Sequence, residues 1–180
     1  MLDIDKSTVD FLVTENMVSE VESLMEKGFP ILDKIIDKMI ERKIDRVYFV
    51  ACGSPLCACQ TAKILFDKYS DIPSAAFSGF DFLDHTPFKL DDKTMVIGVS
   101  ASGETVEVVD SMTLARNKGA LTLAVTRDQS GSSLASVAEY VIGYGGESIW
   151  EMQLLVNYYI VCNYINSIKE HEEITKILTD

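Results

Sequence analysis

Apolar residues recur at helical spacing through the first forty positions. Val9, Leu12, Val13, Met17, Val21, Leu24 and Met25 fall near a period of 3.6, which predicts a helix over 7–26 with Ser7 able to cap it. Gly28-Phe29-Pro30 should break that helix, because proline removes a backbone donor and crowds the preceding turn. Ile31, Leu32, Ile35, Ile36, Met39 and Ile40 then form one broad stripe of a second helix. The period changes near residue 46. Val47–Cys52, Thr94–Val99 and Leu121–Thr126 are continuous apolar runs that read as buried strands, with Ser74–Ser78 and Tyr140–Tyr144 as two more. Amphipathic segments at 55–69, 104–118 and 132–138 separate most of them, and a long helix is expected over 148–168. Strands that are apolar on both faces and alternate with helices predict a parallel sheet covered on both sides. The expected fold is therefore α/β: a doubly wound, five-stranded parallel sheet preceded by two N-terminal helices. The expected division is a helical segment at 1–45, the α/β domain at 46–168, and the start of a further, truncated connection at 169–180.

Length and charge narrow the function. The chain has 180 residues and a formal net charge of −12, enough for one domain. The acidity argues against nucleic acid or an anionic membrane surface as partner. No apolar stretch is long enough to span a bilayer, and the opening is charged and amphipathic rather than an export signal. Cys52, Cys57, Cys59 and Cys162 match neither zinc-ligand nor redox-motif spacing. Reduced thiols and a cytoplasmic setting follow. An acidic chain can still hold an anion, but only through a local device.

Such devices should lie where strands give way to helices, because open parallel sheets bind ligands beyond the carboxyl ends of their strands. After the first strand come Cys52, Gly53, Ser54 and Pro55. Ser54 is placed as a cap and Pro55 as the first helical residue. After the third come Ser100, Ala101, Ser102, Gly103, Glu104 and Thr105. Three hydroxyls, a glycine and the start of a helix can cradle a phosphate without lysine or arginine. Plain capping, with Ser102 bonding the Thr105 N–H, is the competing reading. Glu104 and Glu107 would then complement the helix dipole. Arg127–Ser133, after the fourth strand, is a polar loop that suits a ligand or a simple turn equally well. After the fifth strand, Glu147 and Ser148 could face a sugar, although a first-turn glutamate is commonly just exposed. His85 sits in a polar connection. Glu147 and His85 are the weak candidates for an acid or base, and no motif for a metal or cofactor is present.

Strand, Cys-Gly-Ser, helix, then strand, Ser-x-Ser-Gly-Glu-Thr, helix, resembles the sugar isomerase (SIS) phosphosugar-binding family. The resemblance implies a flavodoxin-like sandwich. It implies Ser100, Ser102 and Thr105 as phosphate ligands with Gly53, Ser54 and Gly103, and weaker sugar contacts from Cys52, Ala101, Glu147 and Ser148. Ala101 and Pro55 stand where the glucosamine-6-phosphate synthase branch usually has Gln and Ser. The opening Met1–Leu12, the run Tyr48–Leu56, Gln60–Lys63 and Ile149-Trp150-Glu151 are similar to the deglycase branch that acts on fructoselysine 6-phosphate. That similarity implies cleavage of a phosphorylated Amadori product to glucose 6-phosphate and a free amino acid, without a cofactor. It implies proton transfer between C1 and C2 followed by hydrolysis of a Schiff base. It further implies two tandem SIS domains with the acid/base residues in the second. This chain would be the first half, pairing with that second domain or forming a homodimer. The alternatives are a single-domain ketose–aldose isomerase and a non-catalytic sugar-phosphate sensor.

Overall fold

The computed structural model describes residues 16–128 and 131–179. Five strands form one sheet in the order β2-β1-β3-β4-β5: β1 (Arg46–Ala51), β2 (Ser74–Ser78), β3 (Thr94–Val99), β4 (Leu121–Thr126) and β5 (Tyr140–Gly143). Every pairing is parallel. The fold is thus the expected α/β sandwich. β3 and β4 are buried at all six positions of each, which explains why their sequences show no polar face.

The two faces of the sheet carry separate cores. Val47, Phe49, Ala51, Ile97, Leu123 and Ile142 point into one. Helices α2 (Phe29–Arg42), α3 (Ser54–Tyr69), α7 (Ile149–Ile168) and α8 (Glu172–Thr179) close that side. Val50, Val96 and Ala124, one residue out of phase, point into the other. There they meet α4 (Gly79–Asp84), α5 (Val106–Asn117) and α6 (Ser133–Val137). Tyr164 is buried, and its hydroxyl donates to the Ile44 carbonyl at 2.5 Å. This bond ties the far end of α7 to the entrance of β1.

The N-terminal region departs from the expected pair of helices. Residues 7–15 lie outside the described part of the chain. From Met17 the chain runs as α1 (Met17–Ser23), a π-helical turn (Leu24–Gly28) and α2, without a break. The Phe29 N–H donates to the Leu24 carbonyl, five residues back. Pro30 would end an ordinary helix by crowding the carbonyl four residues before it. The wider π turn ahead of it is a known way to absorb such an interruption.

The strand order reverses between β1 and β3, which are paired directly from Arg46 opposite Thr94 to Ala51 opposite Val99. The connections leaving these strands, at Cys52 and at Ser100, therefore start side by side. This is the topological switch point, where α/β sheets open a crevice beyond their strand ends.

Candidate functional site

The β1–α3 turn is built on Gly53, whose φ of 67° and ψ of −138° make it the N-cap of α3. Side chains rarely adopt that backbone region. No atom lies within 4 Å of where its Cβ would be, so the turn opens onto free space. The cap thus sits one residue earlier than the sequence suggests. Ser54 and Pro55 are the first two helical residues, and the Ser54 hydroxyl, released from capping, is exposed.

The β3–α5 connection is more tightly built. Ser100 is 3% exposed. Its Oγ accepts the Gly103 N–H at 3.1 Å and lies 2.9 Å from Thr105 Oγ1. Thr105, not Ser102, caps α5 by position, and the helix begins at Val106. The Ser102 hydroxyl accepts the Glu104 N–H at 3.2 Å rather than that of Thr105. The simple capping reading therefore fails for this segment. Gly103 has φ +69°, and a Cβ there would lie 2.4 Å from Ser132 Oγ. Its carbonyl accepts the Leu134 N–H at 2.9 Å. Close packing against the start of α6 is what excludes a side chain.

Glu104 has a different role from the one its position suggests. Its carboxylate receives the Ser133 N–H at 2.9 Å and the Ser133 hydroxyl at 2.6 Å. It complements α6, 29 residues on, not α5. These two bonds hold its carboxyl below the ordinary glutamate range. Glu107 is in the first turn of α5, where it suits the dipole as expected.

The β4–α6 connection joins the same crevice. The Arg127 N–H donates to the Ala101 carbonyl at 3.0 Å, and the Arg127 carbonyl accepts the Gly145 N–H at 2.8 Å. The Arg127 guanidinium touches the hydroxyl of buried Tyr144, which also accepts from Gln153 Nε2 at 3.1 Å. Burial pushes the Tyr144 phenol up from its usual range. Gln129 and Ser130 lie outside the described residues.

The segment after β5 is held from the N-terminal helix. Glu20 accepts the N–H groups of Glu147 at 3.0 Å and Ser148 at 3.1 Å, and the Ser148 hydroxyl as well. Partial burial opposes ionisation of Glu20, but these bonds outweigh it and leave its carboxyl below the ordinary range. The N-terminus of α7 thus has its anion supplied from α1.

Together the loops enclose a cavity of about 390 Å³. Its wall holds Cys52, Ser54, Ser100, Ala101, Ser102 and Thr105, all singled out from the sequence. Gly53 and Gly103 shape the two turns behind it. Pro55, Arg127, Asp128 and Ile149 complete the wall. Arg127 places a guanidinium where the sequence suggested a cradle free of cations. Its loop position was visible in the sequence, but its direction depends on the Ala101 and Tyr144 contacts. Glu147 is exposed and Ser148 buried, and neither is on this wall. His85 is exposed at the C-cap of α4, again off the wall. A second cavity, of about 280 Å³, adjoins the first through Ser54 and lies between α3 and the start of α7. All four cysteines are free thiols.

Comparison with known proteins gives this crevice a setting. Residues 40–147 match the SIS domain family. The chain is 51% identical over its whole length to fructoselysine 6-phosphate deglycase of Escherichia coli (strain K12), covering 53% of that protein. It spans about half the length of the curated relatives it matches end to end. Among solved structures, a Bacillus subtilis protein assigned as a phosphosugar isomerase aligns with TM-score 0.71 and 32% identity, over 81% of this chain and 45% of that one. The Vibrio vulnificus NanR protein, solved with ManNAc-6P, shares the fold at TM-score 0.67 and 15% identity, over 98% of this chain and 68% of its own.

Proposed function

From the chain's membership of the SIS domain family, we propose that its crevice binds the phosphate of a phosphorylated sugar, as half of a deglycase acting on fructoselysine 6-phosphate or a similar Amadori product. The observation that carries this reading is the Ser100–Thr105 loop. Three hydroxyls and the α5 N-terminus converge at the switch point, and the Ser100 and Thr105 hydroxyls lie 2.9 Å apart on the cavity wall. Neutral donors and a helix terminus suit a phosphate dianion. They let a chain of net charge −12 bind it. Ser102, Thr105 and Ser54 supply hydroxyls, the Gly53 turn permits close approach, and Cys52 and Ala101 border the sugar.

Amadori deglycation requires proton transfer between C1 and C2 of the sugar, then water attack on the resulting Schiff base to release the amine. His85 and Glu147 are both exposed, and neither is on the cavity wall. We therefore assign the proton-transferring groups to a part of the enzyme outside these 180 residues, a second SIS domain. The four free thiols suit a reducing, cytoplasmic setting.

The test is an assay of this chain beside a version extended past Asp180, both supplied with fructoselysine 6-phosphate. The extended protein should release glucose 6-phosphate and lysine, while the 180-residue chain should bind without turnover. Absence of both binding and turnover in either protein would overturn the reading.

A further inference from the structure

The second cavity is lined by Ser54, Cys57 and Thr61 from α3 and by Trp150, Glu151 and Gln153 from α7. It shares Ser54 with the phosphate cavity, and Ile149, on the wall of the first, directly precedes Trp150, on the wall of the second. A ligand held by its phosphate in one can therefore extend into the other past Ser54.

The chemistry of this second chamber differs from that of the first. Trp150 is 53% exposed, presenting an indole with no ring partner among the described residues. Glu151 is half-buried, and its carboxylate makes no hydrogen bond or ion pair among the described residues. A first-turn glutamate ordinarily serves its own helix terminus. Here Glu20 already does so, through the N–H groups of Glu147 and Ser148. Among the described residues, no lysine or arginine lines the chamber. An unpaired carboxylate beside an aromatic face is the arrangement that recognises an organic ammonium. The chain's overall negative charge, which disfavours the phosphate, attracts such a cation.

We propose that Trp150 and Glu151 form a subsite for the protonated amine arm of the substrate, so that the chain reads a phosphate at one end and an alkylammonium group at the other. The proposal rests on the phosphosugar reading above. It adds the part of the substrate that separates an Amadori compound from a plain hexose phosphate. Glu151 pairs with the ammonium, the Trp150 ring covers it, and Ser54 lies at the junction.

Trp150 is the single tryptophan of the chain, so its emission reports directly on this chamber. Titration of the wild-type chain with fructoselysine 6-phosphate should change that emission, whereas glucose 6-phosphate, which has no amine, should change it little. Glu151→Gln should weaken fructoselysine 6-phosphate by about tenfold and glucose 6-phosphate by less than about twofold, measured by calorimetry. An unchanged wild-type emission with fructoselysine 6-phosphate, or equal effects of Glu151→Gln on both ligands, would overturn the proposal. So would a changed sedimentation coefficient in Glu151→Gln with ligand discrimination intact, which would assign this face to protein contact. Ser102→Ala serves as the control. It should weaken both ligands alike, and its failure to do so would count against the phosphate reading rather than against the ammonium subsite.

Discussion

Ser100 Oγ lies 2.9 Å from Thr105 Oγ1, so the residue leaving β3 and the residue capping α5 are joined through their hydroxyls. The same Oγ accepts the Gly103 N–H. Ser100 is therefore both part of the proposed phosphate cradle and a brace within the loop. Ser102 is exposed and braces less. Ser100→Ala should cost about 1–2 kcal/mol of unfolding free energy, since it removes the hydroxyl that bonds both the Gly103 N–H and Thr105 Oγ1. Ser102→Ala should leave stability within about 0.5 kcal/mol. Urea denaturation of the two variants checks the order, and equal stability would contradict it.

The two positive-φ glycines of the site should respond differently to alanine. Gly53→Ala meets no atoms and suffers only the backbone penalty, about 1–2 kcal/mol. Gly103→Ala adds a methyl 2.4 Å from Ser132 Oγ and 2.5 Å from Ser132 Cβ. It should lose at least about 1–3 kcal/mol more. Thermal melts of both variants test the order.

Glu104 makes a pH-dependent contribution. Its folded pKa is depressed by the Ser133 hydroxyl and N–H. Stability from this contact is thus fully present above the ordinary glutamate value of 4.5 and is lost as pH falls from there through the lower folded value. Melts of wild type and Glu104→Gln from pH 7 to pH 3 should differ at neutral pH and converge in acid. A difference that grows on acidification would contradict the assignment.

Thiol reactivity should follow burial. Burial pushes the Cys59 thiol up to about 12 and that of Cys162 to about 11, which leaves almost no thiolate at neutral pH. Cys57 is exposed. Peptide mapping after brief iodoacetamide treatment should find Cys57 modified first, with Cys59 and Cys162 spared until the protein is unfolded.

Arg127 should strengthen anion binding beyond what the hydroxyls provide. Arg127→Met should weaken glucose 6-phosphate by about five- to tenfold and flatten the dependence of its affinity on salt. Calorimetry at two ionic strengths measures both. An unchanged salt slope would remove Arg127 from the phosphate.

Much of this was legible in the amino-acid order. β1, β3 and β4 announce themselves because their apolar runs are buried by the helices on either side, whereas half-buried β2 gives a weaker signal. The hydroxyls of Ser100, Ser102 and Thr105 could be assigned to one loop because they lie within six residues. What the sequence hid depends on partners far along the chain. Glu104 looks like an acid for α5, yet its oxygens find Ser133. Glu20 carries no signal that it will cap the approach to α7, 127 residues away. Gly28 and Pro30 read as a break, because nothing in their spacing distinguishes a stop from a π turn that continues. Arg127 was visible as a loop residue, but its place beside Tyr144 is set by tertiary packing.

The central claim is that the β3–α5 hydroxyls hold the phosphate. Calorimetric titration of the wild-type chain and of the Ser102→Ala, Thr105→Val double variant with glucose 6-phosphate tests it most directly. The account predicts saturable binding by wild type and at least about a tenfold loss in the double variant, with both proteins still folded by circular dichroism. The same dissociation constant in both would contradict it.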